Sequence, residues 1–138
     1  MERYRESDLE VELIRVLSES GIACVAQVPL FTRTVDVVGE LNCGAIFAVE
    51  CKLHDWQRAV AQAAAHRNTF DFVYVCLPER EYPDRFIELA RSQGIGVLTM
   101  SMEHSRLMER LPARKNEARW EPNADRMREA IKNQRGEL

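Results

Sequence analysis

Two short apolar runs joined by a tight turn, residues 34–40 and 45–52, constrain this chain more than any other stretch. The first run sets a lone acid, Asp36, between Val35 and Val37, and the second ends Glu50-Cys51-Lys52. Leu41-Asn42-Cys43-Gly44 between them reads as a turn that sends the chain back. Side chains alternate along a strand, so Glu50 and Lys52 share one face while Cys51 points to the other. A hairpin brings Asp36 beside Glu50. Two carboxylates and a lysine are costly to bury without compensation. A divalent cation supplies it, and oxygen-only ligation suits magnesium or manganese. Simpler assignments compete, with Asp36 as a partnered structural aspartate and Lys52 as a salt bridge to Glu50.

The rest of the chain supplies a framework for that hairpin. Leu9, Leu13, Val16 and Leu17 recur at helical spacing and predict a first helix over 6–20, closed by Gly21. Ser7 followed three residues later by Glu10 has the form of a capping box. Residues 22–30 read as the first strand, with Pro29 confining its end to an edge or exit. Asp55 is a good N-cap for an alanine-rich helix over 56–68. The nearly continuous apolar run 71–77 fits a strand buried on both faces. A helix over 84–93, with Phe86, Ile87, Leu89 and Ala90 inward, and a strand over 97–100 follow. Strand–helix–strand alternation implies parallel pairing in this half. Residues 102–111 are read as a short helix broken by Pro112, and Asn123 as the cap of a final helix over 124–134.

Taken in order, Asp36, the hairpin, Glu50-x-Lys52, a following helix with Gln62 and then the strand at 72–78 resemble the PD-(D/E)xK nuclease superfamily. This is the restriction-endonuclease-like fold, which also includes Holliday-junction resolvases. The resemblance covers about residues 6–101 and departs from the pattern at Val35, where a proline would precede the aspartate. It implies an α/β three-layer sandwich with a central mixed β-sheet flanked by helices. It also implies that Asp36 and Glu50 hold Mg2+, with Mn2+ able to substitute, helped by the Cys51 backbone carbonyl and by Glu10. Lys52 would then position the attacking water or neutralise the phosphate, and Gln62 would orient water or backbone. Without the resemblance, Gln62 would pass for a surface residue.

With 138 residues, one domain is expected at 1–111, followed by a polar C-terminal helical appendage at 112–138. Net charge is −3, yet from His104 onward nine Lys and Arg face six Asp and Glu. The balance argues mildly against tight non-specific nucleic-acid binding, without excluding phosphodiester chemistry. Arg33, Arg114, Lys115 and Arg119 are the candidate nucleic-acid contacts, although solvated charge is the simpler reading of each. Nucleic acid, DNA in particular, is the expected partner, and a homodimer or a partner protein would supply specificity. Four cysteines without CxxC spacing suggest reduced structural thiols and no zinc. No apolar run approaches a membrane span and no secretory signal is evident, so a cytoplasmic location is expected. Two rivals to a nuclease stay open: a catalytically weak or inactive nuclease-fold DNA-binding or scaffolding subunit, and a structural ion-pair network in an α/β protein.

Overall fold

In the computed structural model, residues 4–134 are described. Helix α1 (Glu6–Glu19) leads into strands β1 (Ala23–Leu30), β2 (Arg33–Glu40) and β3 (Ile46–Cys51). Helix α2 (Trp56–Ala64), strand β4 (Phe72–Pro78), helix α3 (Asp84–Gln93) and strand β5 (Gly96–Ser101) follow, then β6 (Arg106–Leu111) and α4 (Glu121–Gln134). The six strands form one sheet in chain order. The first three pair antiparallel, β3, β4 and β5 pair parallel, and β6 closes the far edge antiparallel. Helices lie on both faces of this mixed α/β sheet. Leu9 and Leu13 of α1 pack with Val37, Val49 and Cys51 on one face. On the other, α2, α3 and α4 bury Val60, Ala63, Phe86, Ala90, Met127 and Ile131 against Val38, Ala48, Val73 and Val75. Among the described residues no helix is long and apolar enough to cross a membrane.

Local signals place most of these elements. Asp55 Oδ1 accepts the Arg58 amide at 3.0 Å, as an N-cap should. Gly21 takes a φ of 83°, a left-handed turn that suits the residue just past a helix. At the start of α1, however, the Arg5 amide donates to Asp8 at 2.8 Å, so the Ser7–Glu10 capping box does not form. Glu10 is thereby left to face the sheet. Along α3, Phe86 and Ala90 are buried, whereas Leu89, expected inward, is exposed.

Two C-terminal expectations change. Residues 106–111 form an edge strand, not a helix: antiparallel pairing to β5 satisfies backbone groups that a short charged helix would leave to water. Ser101 Oγ accepts the His104 amide in the turn, Tyr74 donates to Glu109 at 2.9 Å, and Arg110 donates to Thr99 at 3.0 Å. The charges of β6 fit an edge, where they discourage pairing with another sheet. Helix α4 begins at Glu121, earlier than an Asn123 cap allows, and Asn123 is buried with its side-chain amide 3.3 Å from Thr69. Although charged, α4 buries Ala124, Met127 and Ile131 almost completely. Through α4 the C-terminal segment thus reaches into the same core as the elements before it.

Candidate metal and catalytic site

The register of the first three strands assembles the site. Val37 pairs with Val49, which sets Asp36 opposite Glu50, and Ala26 and Val28 flank Gln27 opposite Asp36. Three polar side chains therefore stand in a row across adjacent strands. The row interrupts the alternation of the hairpin: Val25 and Val28, three residues apart, join the same core cluster, as do Val35 and Val38. Gln27 absorbs the change with a φ of 54°, uncommon for a residue other than glycine. Its amide donates to Glu10 Oε1 at 2.7 Å and reaches Asp36 Oδ1 at 3.4 Å, drawing the α1 carboxylate toward the sheet.

Asp36 is fixed from the other side by the Cys51 amide, 2.9 Å from Oδ2. Glu50 is 3 % exposed and lies 2.6 Å from His66 Nε2, a contact made from the turn that follows α2. His66 is itself buried, and its Nδ1 has no hydrogen-bond partner. Lys52 pairs with Glu6 Oε1 at 3.7 Å, rather than serving simply as the counter-charge of Glu50, and Glu6 Oε2 accepts the Leu53 amide at 3.2 Å. Glu6, Arg33, Thr34, Asp36, Glu50, Lys52, Gln62 and His66 line one cleft of about 250 Å3. Asp36, Glu50, Lys52, Gln62 and Arg33 thus meet in one place, and Glu10 joins them through Gln27.

The electrostatics show a carboxylate pair holding a proton. Burial, then the hydrogen bond and negative charge of Glu50, push Asp36 up to about 8. Burial also works against ionised Glu50, but hydrogen bonds from His66 and Asp36 outweigh it and hold Glu50 below the usual carboxylate range. Glu10 is raised by burial, against the opposing hydrogen bond from Gln27. One acid thus stays neutral beside an ionised partner, the usual outcome for two carboxylates in one site. The unfolded chain releases the Asp36 proton near 3.8, whereas the folded protein keeps it to about 8. Between those values the folded state binds more protons, so this group makes stability fall as pH rises. Asp36→Asn keeps the neutral hydrogen-bonding pattern without the proton. In urea titrations without metal it should therefore exceed the parent in stability at pH 8 and match it only at a pH below the unfolded value of 3.8; equal stabilities at both pH values would contradict a proton held by this pair.

Among the described residues no three His, Cys, Asp or Glu side chains converge as a ready-made metal cage. The donor set is instead two adjacent carboxylates open to a cleft. Magnesium accepts such a set, because it keeps several waters and binds through one or two carboxylates plus substrate phosphate. A cation between Asp36 and Glu50 would relieve the repulsion that helps raise Asp36.

The other basic candidates lie elsewhere. Arg119 donates to buried Asp71 at 2.7 Å, and Asp71 also accepts the Ile46 amide at 2.8 Å. Asn116 and Trp120 donate backbone N–H groups to the carbonyls of Asp71 and Asn68. This lashing holds 112–120 against the entry ends of β3 and β4, whereas Glu50 and Lys52 stand at the exit end of β3. Arg114 and Lys115 are exposed there, Arg114 beside Arg67 and Gly94. Arg119 is a structural ion-pair partner, and the three residues do not line the cleft.

Gln27, His66 and Glu6 escaped sequence reading. Gln27 sits in an apolar strand and acts through an unusual backbone angle that composition does not betray. His66 is 16 residues from Glu50 and past the regular end of α2. Glu6, at the start of α1, looks like an ordinary first-turn acid.

No protein-family model and no curated protein matches the chain. Solved structures do. A protein of unknown function from Silicibacter pomeroyi superposes with a TM-score of 0.75 at 17% identity, over 98% of this chain and 89% of that one. An XisH family protein from Nostoc punctiforme gives 0.54 at 14% identity, over 72% and 94%. EndoMS, solved in complex with double-stranded DNA, gives 0.53 at 18% identity, over 73% of this chain and 47% of that one. At these identities the likeness concerns the fold: a restriction-endonuclease-like α/β sandwich with a six-stranded mixed sheet.

Proposed function

We propose that this chain is a metal-dependent nuclease of the PD-(D/E)xK superfamily that hydrolyses phosphodiester bonds of DNA. The observation that carries the reading is the single cleft in which Asp36, Glu50, Lys52 and Gln62 meet, with Arg33 at its side. A similarly folded protein, EndoMS, is seen bound to double-stranded DNA, which supports nucleic acid as the partner class.

Asp36 and Glu50 would hold Mg2+ or Mn2+, with the Cys51 carbonyl and Glu10 as further oxygen donors. When bound, the ion lowers the pKa of water and draws charge from the phosphate. The chain's own groups do the rest. His66 orients the Glu50 carboxylate through Oε1, leaving the other oxygen for ligation. Gln27 and the Cys51 amide fix Asp36 at both oxygens, so the site needs little reorganisation as charge develops. Lys52, steadied by Glu6, presents its ammonium to the attacking water or to the pentacovalent phosphate. Gln62 orients water or substrate backbone, and Arg33 meets a flanking phosphate. In-line attack leaves a 5′-phosphate.

The test is cleavage by wild-type protein of linear, circular, single-stranded and branched DNA with Mg2+, Mn2+ or EDTA. Metal-dependent nicking of at least one substrate is expected. A protein that binds both metal and DNA but cuts none of them would instead be a nuclease-fold binding or scaffolding subunit.

A further inference from the structure

The tip of the β1–β2 hairpin carries a feature that the catalytic reading does not use. Leu30 pairs with Arg33, so the hairpin turns through only two residues, Phe31 and Thr32. Phe31 has a φ of 57°, at the position of a two-residue hairpin where glycine is preferred. A bulky aromatic there is strained, and such strain persists only where the surrounding structure or a function maintains it. Packing offers little in return, since Phe31 is 67% exposed. The ring has one neighbour of note, the Arg126 guanidinium of α4, 5.6 Å from its centroid. Two residues on, Arg33 and Thr34 line the cleft that holds Asp36.

We infer that Phe31 is a stacking platform for an unpaired base of the substrate, with Arg126 beside the ring and Arg33 two residues on in the cleft to meet the flanking phosphates. The inference rests on the nucleic-acid reading above and deepens it by naming single-stranded or locally unpaired DNA. Every base has a π-face, so an exposed ring binds single strands with little sequence preference, whereas a duplex keeps its bases stacked on one another. The Arg126 cation at the ring and Arg33 in the adjoining cleft favour an anionic strand over an apolar protein surface. From Phe31 to Asp36 the strand spans about 16 Å, at ~3.3 Å per residue. The stacked base therefore lies a few nucleotides from the scissile phosphate.

The experiment measures fluorescence anisotropy in EDTA at fixed salt, with a labelled single-stranded oligonucleotide and the same sequence as a full duplex. The proteins compared are wild type, Phe31→Gly, Phe31→Trp and Arg126→Ala. Phe31→Gly should weaken single-strand binding about tenfold, the scale of one lost base–aromatic stack, and change duplex binding by less than about twofold. It should also melt no lower than wild type, because glycine relieves the turn. Phe31→Trp should retain binding, and Arg126→Ala should weaken it and flatten its salt dependence. Unchanged single-strand affinity in Phe31→Gly overturns the inference and leaves the nuclease reading standing. The same holds if Phe31→Gly alters only sedimentation, which would make the tip a protein contact. A wild-type chain that binds neither DNA form in EDTA also overturns the inference, while metal-dependent cleavage still decides the nuclease reading.

Discussion

A chain ending at Trp120 is expected to lose its cooperative unfolding transition. The truncation removes α4, from which Ala124, Met127 and Ile131 are essentially buried. Met127 and Ile131 together account for about 4 kcal/mol at ~2 kcal/mol per buried side chain. Their loss also opens the core that α4 shares with Val25, Val28, Val35 and Val38 of β1 and β2, the strands it packs on, for a comparable further cost. Arg128 adds a 3.5 Å ion pair to Glu40 and a hydrogen bond to the Gly44 carbonyl, so the hairpin that positions Asp36 loses its support too. Against a total stability of about 5–15 kcal/mol, this is enough to unfold the domain. Met127→Ala in the full chain, expected to cost ~2–5 kcal/mol, separates loss of packing from loss of length. Circular dichroism with urea unfolding reads both. A truncated chain that melts cooperatively near the parent would make α4 a dispensable attachment.

That expectation reverses what charge density alone suggests for the C-terminus. Ala124, Met127 and Ile131 recur at helical spacing, and the stripe is visible in hindsight; it is narrow, and the Arg, Glu, Asp and Lys around it dominate any composition average. The β-hairpin, by contrast, is strongly legible, because two short apolar runs, the Asn-Cys-Gly turn between them and the acids at 36 and 50 all require the same register. The failure at 102–111 has a different cause. Short segments such as Leu107-Met108-Glu109-Arg110 suit helix or strand about equally, and an available neighbour, here β5, decides. The ion pair of Arg119 was not legible for a third reason: its partner Asp71 is 48 residues away, and only the returning backbone brings them together. The same distance effect hid His66 and Gln27. Residues that act on a site through a fold contact carry no local signature, whereas Glu50-Cys51-Lys52 carries its own.

Lys52→Ala should separate an enzyme from a scaffold. The ammonium is mostly shielded, and its ion pair, with Glu6 at 3.7 Å, has a partner carboxylate that is 43% exposed. Glu6 can return to water once the lysine is gone and still accept the Leu53 amide. Stability should therefore change by less than about 1 kcal/mol, as for other partly exposed pairs. The Asp36–Glu50 pair, held by Gln27, the Cys51 amide and His66, remains in place, so metal affinity measured by calorimetry should change little. Cleavage should behave differently. An ammonium fixed where charge develops on the phosphate or on the attacking water is worth roughly a hundredfold or more in rate. The expected result is thus a protein that melts and binds magnesium much like wild type, yet cuts at about 1% of its rate or less. Equal rates for the two proteins would remove Lys52 from the chemistry. A wild-type chain that binds magnesium, cuts no DNA substrate, and melts clearly higher than Lys52→Ala would make the lysine a structural cation and end the nuclease assignment.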